Sequence, residues 1–162
     1  MKMVNENCFG GMEMSVISYP DLTSRPHSLS VERVMETPLN VLYEAWTEKF
    51  GDWFAAPSSV IMKAEVNSVF FFETHFEDKR HPHYGRFLKL EQNQLVEISW
   101  FTAGTKAETV VTVEFETNVS GAAVIKLTHA GFPDELSRNQ HKEAWPFVLD
   151  QLDNKMKELI KG

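Results

Sequence analysis

Histidine is the first residue type to test for chemistry, because the neutral imidazole serves both as metal ligand and as general base near neutral pH. Five of the six histidines, His75, His81, His83, His129 and His141, lie beyond residue 70. Their spacing does not sustain a metal site. His81-Pro82-His83 falls in a turn signal rich in charge, and neither a cysteine pair nor a His-x-x-x-His helix accompanies it. No metal and no other cofactor are therefore expected. His129 and His141 read as fold residues around the Gly131-Phe132-Pro133 bend, with His129 also open to a ligand contact or a general-base role. Nucleophilic chemistry has no support either: there is no Gly-x-Ser-x-Gly, no glycine-rich phosphate loop and no spaced nucleophile and base, so no catalytic residue is assigned. Were the chain an enzyme, His129, Glu73 and Tyr84 would be the first acid–base candidates.

The arginines allow a different chemistry. Arg33 and Arg86 fall on the apolar parity of their strands, and Tyr84 shares the parity of Arg86. A guanidinium facing a cavity forks onto a carboxylate or phosphate, so Arg33, Tyr84, Arg86 and His129 are candidate polar anchors for a ligand. The competing expectation is structural, an ion pair with a glutamate such as Glu65 or Glu73, since arginine is rarely buried unpaired. Phe87 is apolar on the opposite parity, and a β-bulge there would exchange the two faces.

Aromatic side chains are the compositional peculiarity: 12 Phe, 4 Trp and 3 Tyr in 162 residues. They either line a cavity or fill one. The elements that would position them are legible from periodicity. Residues 1–28, with Gly10-Gly11, Pro20 and Pro26, read as a weakly ordered arm, and residues 29–162 as one domain. Ser28 to Glu36 alternates as a strand. Thr37-Pro38 fits an N-cap and a proline at the first helical position, followed by Leu39, Leu42, Tyr43 and Trp46 on one helical face. Gly51 to Pro57 is a compact aromatic turn, a lid or plug. Strand-like runs follow at Val60–Ala64, Val69–Phe76, Tyr84–Leu90, Leu95–Trp100, Thr109–Glu116 and Ala122–His129, separated by turns short enough for an antiparallel meander. The last segment, from Asp134 to Lys161, carries an apolar stripe of Trp145, Val148, Leu149, Leu152 and Met156, which would cover one face of the sheet. Pro146 inside it predicts a kink or a fresh helix start near Ala144 and Trp145.

Composition narrows the partners. The balance of 43% hydrophobic and 24% charged residues is that of an ordinary soluble globular domain, able to bury about two thirds of its surface. A formal charge of −7 and no visible basic patch argue against nucleic acid. The single cysteine, Cys8, can form no internal disulfide. With no secretory or membrane-spanning run, a cytoplasmic protein that does not enter membranes is the simplest expectation.

The order of elements is that of an α+β helix-grip fold, six or seven antiparallel strands curved around a long C-terminal helix. Particular residues narrow it further: Val31-Glu32-Arg33-Val34 with Pro38, Ala45-Trp46-Thr47, Trp53-Phe54, Ser99-Trp100, then His129-Ala130-Gly131-Phe132-Pro133-Asp134 with His141 and Ala144-Trp145. In order and spacing, over residues 29–160, they resemble the START-like, or SRPBCC, superfamily. The branch is the one related to the C-terminal domain of activators of the ninety-kilodalton heat-shock chaperone's ATPase. Two departures stand out, Asn67-Ser68 and Ala144 where the branch tends to carry glycine. The resemblance implies a cavity between sheet and long helix, walled by Phe70, Phe72, Trp100, Val113, Trp145 and Leu149, with Trp53 and Phe54 at its mouth. It therefore implies binding of a small hydrophobic or amphipathic molecule. Chaperone binding and a cyclase- or hydrolase-type enzyme acting on an aromatic or polyketide-like substrate stay open as alternatives. The arm is too short to be the further folded domain that such activators carry, and pairing of exposed aromatic faces into a homodimer stays open too.

Overall fold

Alternating apolar and polar side chains build six strands in the computed structural model, which describes residues 18–105 and 107–162. They are β1 (His27–Met35), β2 (Val69–Phe76), β3 (Lys79–Glu91), β4 (Leu95–Thr102), β5 (Thr109–Thr117) and β6 (Ala123–Phe132). Short hairpins join β2 through β6, and β1 returns to pair with β6, so the antiparallel order is β1-β6-β5-β4-β3-β2. Helix α1 (Leu39–Thr47) and a single 3-10 turn (Phe50–Asp52) lie between β1 and β2, and the long helix α2 (Glu135–Lys161) follows β6. This is the α+β helix-grip fold. The side chains of β4, β5 and β6 that face inward, among them Val96, Ile98, Val111, Val113, Ile125 and Leu127, are almost wholly buried, as are Trp145, Leu149, Leu152 and Met156 of α2.

Local chemistry accounts for the turns. Asn118 Oδ1 accepts from the backbone N–H groups of Ser120 and Ala122 and so closes the β5–β6 hairpin. Asn67 sits at φ 72°, the left-handed conformation that asparagine tolerates where glycine was the usual alternative. Gly85 is needed for a close approach, since a Cβ there would lie 2.0 Å from the Ser99 carbonyl oxygen of the neighbouring strand.

Several elements differ from the sequence expectation. Val60–Ala64 is no strand: only an isolated bridge, Ile61 to Phe71, touches β2 there, so the sheet has six strands. The charged turn expected over residues 78–82 shrinks to Glu77 and Asp78, and β3 already runs from Lys79, its register continuing through Thr74–His81 and Phe72–His83. Thr37 does not cap α1. Its hydroxyl donates at 2.6 Å to the buried Asp153 carboxylate of α2, and the cap position falls to Pro38. Helix α2 shows no fresh start at Pro146 and is continuous over 27 residues, begun by Asp134, whose side chain accepts from the Ser137 N–H. The proline removes one backbone hydrogen bond, while the stripe on either side of it holds both halves against the sheet.

A β-bulge between Phe87 and Lys89 shifts the register of β3 against β4. Ahead of it, His83 and Phe87 point inward and Tyr84 and Arg86 outward, the exchange of faces that Phe87 had suggested.

Residues 1–17 of the expected arm lie outside the described residues. Of the remainder, residues 18–26 run over the outer face of the sheet: Tyr19 donates to Glu97, and Arg25 donates to the Gly131 and Glu108 carbonyls at 2.8 and 2.6 Å. Among the described residues no helix is long and apolar enough to cross a membrane.

Candidate functional site

The space between sheet and α2 is largely occupied by rings. Trp46 of α1 packs on Trp53 at 5.2 Å and on Trp145 at 6.1 Å between centroids, and Phe50 packs edge-on against Phe72 at 5.1 Å. Trp53, Phe70, Phe72, Val113, Trp145 and Leu149, all expected around a cavity, are 3% exposed or less. Trp53 is also pinned, its indole N–H donating to the Ala45 carbonyl at 2.8 Å while its own carbonyl accepts from Gln151 of α2. The segment 50–55 is therefore a plug that fills the centre of the fold.

His129 lies beneath this plug, fully buried, in a chain of hydrogen bonds with one consistent set of protons. The Trp145 indole N–H donates to Nδ1 at 3.1 Å, which makes Nδ1 the acceptor. Nε2 then carries the proton and donates to Thr109 Oγ1 at 2.7 Å, and that hydroxyl donates to the Trp100 carbonyl at 3.1 Å. Every polar atom of the ring is satisfied in the neutral form. Burial, and secondarily His141 beside it, holds the ring's pKa well below the ordinary histidine value. His129 joins α2 to β5 and β6.

What remains open between the sheet and α2 is a cleft at one end of the helix, in two adjoining hollows of about 140 and 50 Å³. Both are bordered by Trp100, Thr102 and His141; the larger adds Phe54, His83, Ala144, Trp145 and Val148. Each wall has a simple origin. On β4, Trp100 and Thr102 are two apart and share a face, and Thr102 pairs with His83 of β3. On α2, His141, Ala144 and Val148 recur at helical spacing. Phe54 comes from the plug. The smaller hollow is completed by Thr105, Ala107 and Thr109 on one side and by Phe132, Pro133 and Ser137 on the other.

The two imidazoles at the cleft are held alike. His83 Nδ1 lies 2.9 Å from the His81 carbonyl and His141 Nδ1 lies 2.8 Å from the Ser137 carbonyl. A carbonyl only accepts, so each Nδ1 carries a proton and donates it. The His83 ring stacks on Phe72 at 5.0 Å with planes 4° apart, and Trp100 meets it edge-on at 5.3 Å. Burial pushes its pKa down to about 4, against a smaller upward pull from the His81 carbonyl, so at neutral pH the ring is uncharged.

Of the residues expected at the site, Phe54, Trp100 and Trp145 meet at the cleft, and Trp53, Phe70, Phe72, Val113 and Leu149 lie in the packed interior. The polar anchors are elsewhere. Arg33 donates to Asp150 at 2.9 Å and lies 3.9 Å from Asp153, tying β1 to α2; the structural ion pair is there, with aspartates of the helix rather than Glu65 or Glu73. Arg86, on the outer face because of the bulge, donates to the Asn67 carbonyl at 2.6 Å. Tyr84 is exposed and stacks on Phe101. Glu73 is taken by Arg80 at 2.9 Å, which holds its carboxyl below the usual range. Sequence reasoning missed His83, Thr102, His141 and Val148 as neighbours. The alternation of His83 with Phe87 was a usable signal, obscured by reading His83 as part of a turn. Among the described residues, no cluster of three or more His, Cys, Asp or Glu side chains could hold a metal ion.

Several solved structures share this fold. CV1439 from Chromobacterium violaceum superposes with a TM-score of 0.68 at 20% identity, over 80% of this chain and 96% of that one. CalU16 from Micromonospora echinospora gives 0.59 at 19% identity, over 78% and 71%. DynU16, from the dynemicin biosynthetic locus, gives 0.68 at 14% identity, over 81% of this chain and 47% of its own. No curated protein matches this chain. The sequence model described as Activator of Hsp90 ATPase homolog 1-like protein matches residues 36–157, about three quarters of the chain. A START-like helix-grip fold, with its plug, long helix and aromatic order, carries that sequence pattern, and the chain belongs to the Activator of Hsp90 ATPase homolog 1-like family.

Proposed function

We propose that the protein binds a small hydrophobic or amphipathic molecule in the cleft formed by Phe54, His83, Trp100, His141, Ala144 and Val148. The observation that carries this reading is a hollow of about 140 Å³ with aromatic and aliphatic walls and few polar atoms, beside a core that is otherwise packed. Its size sets the ligand's. An apolar cavity of about 150 Å³ holds one benzene ring, whereas drug-sized ligands occupy roughly 300 Å³ or more. The buried part of the ligand is therefore a single ring or a short chain, and a larger molecule would leave its remainder outside, past the exposed Ala144.

The test is a titration of the folded protein with single-ring compounds, following the indole N–H signals of Trp100 and Trp145 by NMR, with thermal-shift screening beside it. Saturable shifts at both indoles, abolished when Val148→Trp fills the hollow, are expected. Failure of every single-ring compound to move either signal or to raise the melting temperature overturns the reading.

One observation favours a second reading, that of a protein-interaction module. Leu136 and Phe147 of α2 are 68% and 77% exposed, two apolar side chains that the fold leaves without a partner on one helix. Membership of a family described by chaperone ATPase activation suggests the partner to try first. Stoichiometric capture of the ninety-kilodalton heat-shock chaperone, lost in Phe147→Ser, would favour that reading. An enzymatic reading would have to start from His83 or His141, because Glu73 and Tyr84 lie away from the cleft and both nitrogens of His129 are occupied.

A further inference from the structure

Most polar side-chain atoms on the inward faces of this fold have a protein partner, and the cleft wall holds one that does not. His83 is 8% exposed, on the inward face of β3 between the Phe72 and Trp100 rings. Its Nδ1–H is committed to the His81 carbonyl. Among the described residues its Nε2 has no hydrogen-bond partner, and the ring forms part of the wall of the larger hollow. Fixing one nitrogen on a backbone carbonyl sets the tautomer and presents the other as a lone pair at the cleft surface, one that a ligand displacing water from the hollow must meet or leave unpaired.

Resting on the cleft reading above, we propose that the ligand is a neutral hydroxylated ring, a phenol, whose O–H donates to His83 Nε2 while its ring lies between Trp100, Phe54 and Val148. Three features of the site agree on this chemistry. The hollow has the volume of one ring. The acceptor is a neutral nitrogen, because burial keeps His83 uncharged at neutral pH, so it takes a donor and offers no ion pair to a carboxylate. The anchors that would have favoured an anion, Arg33 and Arg86, are engaged elsewhere, with Asp150 and with the Asn67 carbonyl.

Phenol and toluene separate this inference from the cleft reading on which it rests. They have nearly the same shape and differ in the donor. A merely apolar hollow prefers toluene, because phenol's hydroxyl must leave water for nothing. A site with a waiting acceptor reverses the order, since toluene leaves Nε2 unmet. Both would be titrated into the 15N-labelled protein, reading the Trp100 and Trp145 indole signals for occupancy and the His83 ring nitrogens for the hydrogen bond.

The expected result is a dissociation constant for phenol about fivefold or more below that for toluene, with the His83 Nε2 resonance moving on phenol addition alone. In His83→Phe, which keeps a ring on Phe72, the order should invert to favour toluene. Toluene binding as tightly as phenol or more tightly in the unaltered protein overturns the inference and leaves the cleft intact. Binding of neither overturns both. The comparison in the unaltered protein decides the matter even if the variant does not fold.

Discussion

Acid should weaken this fold well above the range in which its carboxylates titrate, because of two inward histidines, and His83 gives the magnitude. In the unfolded chain a histidine titrates near 6.5. In the fold, burial pushes His83 down to about 4 and holds His129 well below its ordinary value. As pH falls below about 6.5 the unfolded chain takes up a proton at each site and the folded chain does not. Stability is therefore complete above that value and is lost progressively beneath it, until the folded ring itself titrates. At about pH 5, one and a half pH units below the unfolded value, His83 costs the fold about 2 kcal/mol, and His129, shifted in the same direction, adds to that loss. Against a total of about 5–15 kcal/mol the His83 contribution alone is a large fraction, equivalent to a fall of about 4–8 °C in melting temperature. The hydrogen bonds point the same way: a proton on His129 Nδ1 would meet the Trp145 indole N–H head-on. The assay is urea unfolding at intervals from about pH 7.5 to about pH 5, monitored by tryptophan fluorescence. The unaltered protein should lose more than about 1.3 kcal/mol per pH unit near the lower end of that range, the share of His83 alone. His83→Phe should remove about 1.3 kcal/mol per pH unit of the slope, and His129→Leu should also reduce it. A flat profile, or one that neither substitution changes, would refute the assignment of two neutral, buried imidazoles.

Two further predictions test how the elements are joined. Asp153 of α2, 2% exposed, accepts from the Glu36 and Thr37 N–H groups and from the Thr37 hydroxyl, and these bonds outweigh burial to hold its carboxyl below the usual value. Asp153→Ala would strand those three donors, while Arg33 keeps Asp150, and should cost about 3–5 kcal/mol in urea unfolding at neutral pH; a loss under about 1 kcal/mol would mean that the β1–α1 corner holds without it. Gly85→Ala puts a Cβ 2.0 Å from the Ser99 carbonyl oxygen and should cost about 3 kcal/mol or more, whereas Gly51→Ala, 3.5 Å from Val60 Cγ2, should stay within about 1 kcal/mol. Equal urea midpoints for the two would contradict the close approach of β3 and β4.

Much of the fold was legible because its signals are local. Val96, Ile98 and Trp100 on β4, and Val111, Val113 and Phe115 on β5, alternate without interruption, and that alternation is the direct imprint of a sheet with one covered face. The stripe from Trp145 to Met156 is likewise readable as the surface that covers it. Val60–Ala64 carries a similar pattern yet forms a single bridge, because a strand also needs a partner and β2 offers one only at Phe71. The candidate site was less legible. Tyr84 and Arg86 have the parity of Leu90 in the sequence and lie on the opposite face in space, since one extra residue in the ladder reverses everything ahead of it.

By itself the sequence determined the kind of protein this is: a helix-grip domain of six or seven antiparallel strands and a long helix, rich in rings, with no nucleophile motif and no phosphate loop. Periodicity, turn residues and spaced motifs act between near neighbours in the chain, so they survive being read in one dimension. Whether those rings line a cavity or fill it was decided only by tertiary packing. The same residues, Trp46, Trp53, Phe72 and Trp145, suit either outcome by type. The outcome depends on how far the plug at residues 50–55 descends between helix and sheet, a distance set by contacts between segments roughly a hundred residues apart, such as Gln151 with the Trp53 carbonyl. Tertiary structure likewise decided where the unmet acceptor lies, because His83 reaches the cleft only through the pairing of β3 with β4 and the approach of α2 above them.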